Sequence, residues 1–421
     1  MPRQASNHPH KKRILLVDDD PFVLRMYREG LSQLGVQVDV AADGLAAINA
    51  LRAAKPDVVV LDLMMPKLSG VDVLKFIRSQ AELKALPVLV LSNSYMNQLG
   101  AEAAAFGVHK ALLKLRCSPS VLLRMINDVL AGKSSREDVA PLLAVPEQAT
   151  SVPQPPARPV PASRAAPTPL PGAAQTVAAG FQAKARRSFL ETSRATCTAL
   201  RRLCRAFTTA PNQVERGEHL QAFYRKVHSV AAGAGVAECH HLAQMAGVFE
   251  ALLFQLIEKP AAFSPSVLRT IASTVDFLTL LFDCADAAAD EAPAPAQALV
   301  VDDDPLSNRL VVSALQRAHF QARSTQDPLV GLQWLEESHF DLVLLDIEMP
   351  GMDGFELCMR LRTLPGYQKT PVIYVTAHGD FENRAKSLLS GGTDLISKPV
   401  LPLELAVKAV SYLLKRQMAP A

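Results

Sequence analysis

The chain has 421 residues, 49% of them apolar, and a formal net charge of only +3. So balanced a charge argues against binding driven by neutralising a phosphate backbone, and nucleic acid is not an expected partner. No apolar run approaches the ~20 residues that span a bilayer, no signal-peptide core follows the basic start, and the six cysteines are scattered without a Cys-x-x-Cys, so the expectation is a soluble cytoplasmic protein with reduced thiols and no membrane partner.

Residues 1–11 read as a polar tail. Between 12 and 133, short apolar runs occur at Ile14–Val17, Val36–Val40, Val58–Leu61, Val88–Leu91 and Val108–Leu113. Amphipathic stretches separate them, such as Phe22–Leu34 with Leu24, Tyr27, Leu31 and Leu34 on one face. Five buried strands alternating with helices predict an α/β domain with a doubly wound parallel sheet. Residues 134–178 read as a Pro/Ala-rich linker, because proline lacks a donor N–H and favours extended chain, and ten prolines fall between Pro141 and Pro171. Segment 179–284 shows no strand alternation. Val227, Val230, Ala231 and Ala234, then Leu242, Met245, Val248, Phe249, Leu252, Leu253 and Leu256, recur at helical spacing and predict an antiparallel helical bundle. A short linker at 285–296 leads to a second α/β domain at 297–416.

The two α/β segments are internal repeats. Ile14–Pro21 (ILLVDDDP) matches Ala298–Pro305 (ALVVDDDP), and Val60–Pro66 (VLDLMMP) matches Leu344–Pro350 (LLDIEMP). Asp19 and Asp62 stand 43 positions apart, as do Asp303 and Asp346. In a doubly wound sheet the site forms at the carboxyl ends of the strands. Asp18, Asp19, Asp62 and Ser92 fall there in one copy, and Asp302, Asp303, Asp346 and Thr376 in the other. Three converging carboxylates repel one another unless a hard divalent cation joins them, and Mg²⁺ suits oxygen ligands. A neighbouring lysine and hydroxyl complete a site for moving a phosphoryl group onto a carboxylate.

These motifs resemble the receiver domain of bacterial two-component response regulators, over Lys12–Gly132 and Gln297–Lys415. Ser92 precedes Lys114 by 22 positions, and Thr376 precedes Lys398 by the same number. The resemblance implies flavodoxin-like folds in which Asp62 and Asp346 accept phosphate. Asp18, Asp19, Asp302 and Asp303 would join them in holding Mg²⁺. Ser92 and Thr376 would sense the phosphoryl group, and Lys114 and Lys398 bond it. Lys398-Pro399 is the family's usual pair, commonly joined by a cis peptide. Leu115 replaces that proline in the first copy and predicts a trans peptide with a differently aimed Lys114.

Arg225–Gly235 (RKVHSVAAGAG) resembles the histidine motif of phosphotransfer (Hpt) domains, nearest to those of chemotaxis histidine kinases. That resemblance makes His228 a phosphoacceptor and Glu250, 22 positions on, its hydrogen-bonding support. Ala231 stands where the family usually places a lysine, and Arg225 is the candidate substitute. His240 and His241 beside Cys239 lack the spacing of a metal site.

The reading is receiver–Hpt–receiver. No kinase catalytic domain is recognisable, so the chain is expected not to be an enzyme. It would take phosphate from a separate histidine kinase and pass it to a downstream response regulator or target protein, as a phosphorelay intermediate. The alternatives are a phosphorylation-dependent interaction scaffold, or a phosphate sink, with an inactive bundle. The long first linker predicts an independent first receiver, and the short second linker a second receiver held near the bundle.

Overall fold

The computed structural model describes residues 12–65, 68–92, 102–114, 117, 119–133, 172–260, 263–285, 295–377 and 389–418. The tail 1–11, Pro66, Leu115, the Pro141–Pro171 tract and most of the second linker lie outside the described residues. The chain divides into two compact units, Met1–Phe189 with Gly235–Glu238, and Leu190–Ala234 with Cys239–Ala421. No helix among the described residues is long and apolar enough to cross a membrane.

In the first unit, β1 (Arg13–Val17), α1 (Pro21–Gln33), β2 (Gln37–Ala41), α2 (Gly44–Ala53), β3 (Val58–Asp62), α3 (Gly70–Ser79), β4 (Val88–Ser92), β5 (Lys110–Leu113) and α4 (Pro119–Leu130) follow in order. The sheet is parallel, in the order β2-β1-β3-β4-β5. All of β3 is buried, as a strand covered on both faces must be, and this is why it reads as an unbroken apolar run ending in Asp62. Most of the segment between β4 and β5 lies outside the described residues.

The acidic triplet divides its work. Val17 pairs in register with Leu61, so Asp18 and Asp62 follow at one sheet edge. Asp20 instead caps α1, accepting from the backbone N–H of Phe22 and Val23, with Pro21 at the first helical position.

A fifth helix, α5 (Gly172–Leu190), belongs to this unit, which corrects two expectations. It begins ahead of the expected boundary at 179. It also folds back on α1 instead of opening the bundle: Phe189 lies on Phe22 with ring centroids 5.9 Å apart, and Lys184 pairs with Glu29 at 2.6 Å. Phe181 and Phe189 are buried by this packing. The proline-rich stretch therefore joins two helices of one unit.

The second unit holds the helices α6 (Ser193–Thr209), α7 (Gln213–Val236), α8 (His240–Glu258) and α9 (Pro265–Cys284), which form the expected bundle. Phe207, Phe223, Phe249 and Phe263 stack through its core at 5.5–6.4 Å. The second α/β domain follows: β6 (Gln297–Val301), α10 (Pro305–Arg317), β7 (Gln321–Thr325), α11 (Pro328–Glu337), β8 (Leu342–Asp346), α12 (Gly354–Thr363), β9 (Val372–Thr376), β10 (Asp394–Ser397) and α13 (Pro402–Met418). Its strand order, β7-β6-β8-β9-β10, repeats that of the first sheet.

The last helix, α13, packs on α8 and α9 of the bundle as well as on α10. Buried Glu404 of α13 accepts hydrogen bonds from Ser266 Oγ at 2.7 Å and Thr270 Oγ1 at 3.0 Å, both on α9. The second domain is thus held on the bundle, as its short linker led us to expect.

Candidate functional site

Two backbone devices recur at both sheet ends. Gly70 and Gly354 open the helices that follow Asp62 and Asp346, their N–H groups bonding the carbonyls of Leu63 and Ile347 at 3.0 Å. A Cβ on Gly70 would stand 2.0 Å from the Asp62 carbonyl oxygen, and one on Gly354 would stand 2.1 Å from that of Asp346. Only glycine lets these helices approach so closely. Further back, Arg78 donates to the carbonyls of Phe106 and Gly107, and Arg362 donates to that of Gly391. Each arginine ties the loop before the last strand to its own helix.

In the second copy, Asp302, Asp303 and Asp346 each present a carboxylate oxygen within 4.8 Å of the others. Lys398 Nζ bridges two of them, at 2.8 Å from Asp346 Oδ2 and 3.0 Å from Asp302 Oδ2. The Asp304 N–H donates to Asp302 Oδ1 at 3.0 Å, Ser307 Oγ donates to Asp302 Oδ2 at 2.5 Å, and the Ile347 N–H donates to Asp346 Oδ1 at 2.7 Å. Thr376 is buried at the end of β9, its carbonyl accepting from the Lys398 N–H at 2.6 Å. The Lys398–Pro399 peptide is cis.

The first copy repeats this geometry. Oxygens of Asp19 and Asp62 lie within 4.8 Å of each other. Lys114 Nζ lies 2.6 Å from Asp62 Oδ2 and 2.8 Å from Asp18 Oδ2. The differently aimed Lys114 expected from Leu115 is thereby corrected: two buried carboxylates draw the ammonium to the same place as in the second copy, whatever residue follows it. Ser92 ends β4 as expected, paired in register with Leu113. Its side chain lies outside what the structure describes.

The charges shape one another. Burial raises the Asp18 carboxyl to about 6, with Lys114 offsetting part of the rise. Burial raises Asp346 as well, again opposed by Lys398. For each lysine, burial alone would lower the pKa, but the paired aspartates overcome it and hold the ammonium above its ordinary value. The arrangement is a cluster of oxygen donors with a fixed cation, able to bind a small hard metal and to neutralise an anion beside Asp62 or Asp346.

In the bundle, His228 of α7 and Glu250 of α8 are both buried, and His228 Nδ1 lies 2.7 Å from Glu250 Oε1. Tyr224, one turn before His228, donates its hydroxyl to the same oxygen at 3.1 Å. Sequence reasoning missed this residue, although its i,i+4 spacing to His228 was available as a signal. Arg225 lies on the exposed part of α7. Among the described residues, Cys239, His240 and His241 take part in no metal-compatible cluster.

Comparison with known proteins adds a family. The model of the response regulator receiver domain matches residues 14–127 and 298–410. Among curated relatives, the cyclic di-GMP phosphodiesterase response regulator RpfG of Xanthomonas campestris is 36% identical over 124 residues, 29% of this chain and 33% of that protein. The sensor histidine kinase RcsC of Escherichia coli is 40% identical over 102 residues, 24% of this chain and 10% of that one. The chain thus spans a third or less of these two relatives. Among solved structures, the chemotaxis response regulator CheY4 of Vibrio cholerae aligns at 28% identity over 28% of this chain and 99% of that one, with a TM-score of 0.27.

Proposed function

The chain belongs to the response regulator receiver family, and from that premise we propose that it is a phosphorelay intermediate whose two receiver aspartates exchange phosphoryl groups with His228. The observation that carries the histidine part is the buried His228–Glu250 bond, in a helical bundle that lies between two complete acidic sites in sequence. A carboxylate on Nδ1 fixes the tautomer and directs attack through Nε2. Tyr224 holds that carboxylate in place. Asp62 and Asp346 are the acceptors, and Lys114 and Lys398 neutralise charge on the incoming phosphoryl oxygens. Ser92 and Thr376 stand at the strand ends from which a hydroxyl can follow that charge.

Asp302, Asp303 and Asp346 form a hard-oxygen donor set that fits Mg²⁺; in the first copy Asp19 and Asp62 bring their oxygens within the same 4.8 Å, and Lys114 ties Asp18 to Asp62 beside them. The metal would supply further neutralisation of the phosphoryl oxygens. The phosphodonor is a separate histidine kinase, and the recipient a downstream response regulator or target protein. A specific observation favours a second reading: Glu404 fastens the second receiver to the bundle, as a phosphorylation-dependent scaffold would require.

The test supplies a small phosphodonor with Mg²⁺. Asp62 and Asp346 should take acid-stable, base-labile label, lost in the double Asp→Ala variant. His228 should take acid-labile, base-stable label, and Glu250→Ala should slow it. Wild-type transfer through a His228→Gln chain would remove the relay and leave the scaffold.

A further inference from the structure

The two receivers differ at one buried place between helix, sheet and turn. Counted from the aspartate that ends β3 or β8, positions 12, 28 and 44 fall on Leu74, Val90 and Phe106 in the first copy, and on Cys358, Tyr374 and Ser390 in the second. The strand registers agree: Val90 pairs with Leu61, and Tyr374 with Leu345. Leu74 and Val90 are buried in an apolar core against which Phe106 packs, and such contact has no preferred direction. The second copy fills the same place with polar groups. Tyr374 is fully buried. Its hydroxyl lies 2.7 Å from Oγ of buried Ser390 and shares a hydrogen bond with the Cys358 thiol. Ser390 adjoins Gly391, whose carbonyl Arg362 grips with two donors at 2.6 and 2.9 Å. One phenol therefore joins α12, β9 and the turn before β10. Polar groups in a core bond one another or lose their hydration uncompensated, so this trio is directional where Leu74, Val90 and Phe106 are not.

We propose that the Tyr374–Ser390 bond is a latch that holds the second receiver in its resting arrangement, and that the first receiver, with Val90 and Phe106 in those places, has no such latch. The inference rests on the reading that Asp346 accepts a phosphoryl group. The arrangement described is the resting one, because Lys398 Nζ itself spans Asp346 Oδ2 and Asp302 Oδ2. Tyr374 and Thr376 stand two apart on β9, so their side chains leave the same face of the sheet. A Thr376 hydroxyl drawn toward new charge on Asp346 carries the strand end beside the phenol with it. Ser390 cannot follow freely, since Arg362 holds the next residue to α12. The hydrogen bond is therefore set against the response. One buried neutral hydrogen bond biases a two-state equilibrium about three- to tenfold. The second receiver switches only when the group on Asp346 outweighs that bias, and the first receiver switches without it.

The experiment uses full chains carrying Asp62→Ala, so that Asp346 alone responds. The probe is beryllium fluoride with Mg²⁺, a stable mimic of a phosphoryl group on a carboxylate, and bound fluoride is followed by ¹⁹F NMR. Tyr374→Phe keeps the ring against Phe355, 5.1 Å away between centroids, and removes one oxygen. The apparent Kd should fall about three- to tenfold, because the ligand no longer works against the latch. Ser390→Ala should give the same gain, and the double variant should add little to either, as two partners of one bond require. A side chain that only supported the fold would weaken binding on removal, so the direction of the shift decides. Unchanged or weaker binding in Tyr374→Phe would overturn the proposal; should that variant not fold, Ser390→Ala decides by the same criterion. A parent chain that takes no beryllium fluoride strikes the phosphoacceptor reading instead. The latch is then read from amide exchange of Thr393, whose N–H donates to the Val372 carbonyl at 2.8 Å. Exchange there should rise at least about threefold in Tyr374→Phe while β6 is unchanged, and equal exchange at Thr393 defeats the proposal.

Discussion

Replacing Gly354 with alanine should disable the second receiver without touching any ionisable group. The added Cβ would lie 2.1 Å from the Asp346 carbonyl oxygen, 3.0 Å from its carbonyl carbon and 3.1 Å from Ile347 Cα. All three are backbone atoms, so no side chain can rotate away. Relief to an ordinary contact of about 3.4 Å needs a shift of more than ~1 Å between α12 and the end of β8. Overpacking of this kind costs ~1–3 kcal/mol, and a misplacement of about 1 Å at a reacting group can cost ~10²-fold in rate. In an Asp62→Ala background, Gly354→Ala should therefore lower labelling of Asp346 by a small phosphodonor about 10- to 100-fold. Gly351→Ala is the control. Its φ of +84° strains an alanine, but a Cβ there meets nothing within 4 Å, so labelling should fall far less. If Gly354→Ala labels at the parental rate, the helix start does not position Asp346.

Three further outcomes are expected. Lys114→Ala leaves Asp18 and Asp62 buried without their cation and should cost the metal-free chain ~3–5 kcal/mol; Lys398→Ala, at a more exposed lysine, should cost less, and equal losses in denaturant titrations would count against the comparison. Because the Asp18 carboxyl is raised from 3.8 to about 6, its contribution to stability is full below about 3.8 and fades as pH rises through about 6. Without metal, the first receiver's thermal transition should fall across that window, and the fall should vanish in Asp18→Asn. Glu404→Ala removes the acceptor of both α9 hydroxyls and should speed amide exchange in α13, with unchanged exchange refuting its role as the fastening.

The fold was legible where burial leaves a continuous signal. Val58–Leu61 and Leu342–Leu345 read as strands because both their faces are covered, and the acidic sites were legible because the repeat kept its offsets. Glu250 was legible only through a family resemblance, since 22 positions have no local meaning. Helix α5 was missed because its start is rich in alanine and follows prolines, so its sequence does not say which body it will cover. Gly70 and Gly354 carried a signal that went unread: each lies eight positions after the aspartate that ends its strand, Asp62 or Asp346. Arg78 and Arg362 likewise occupy equivalent places in the two copies, but an arginine that bonds carbonyls looks like any surface arginine until the loop is in place. Glu404 reads as an ordinary helix-surface acid, and only the neighbouring hydroxyls of Ser266 and Thr270 make its burial tolerable.

The return of α5 to the first receiver turns the peptide between Lys133 and Gly172 into a closed circuit, not a leash. Its length sets how quickly a detached α5 finds α1 again. For a freely jointed segment, closing a ring becomes harder by only ~0.6 kcal/mol for each doubling of its length. Insertions in this stretch should therefore weaken the hold of α5 on α1 only gently. Length variation should therefore be tolerated on that side of α5.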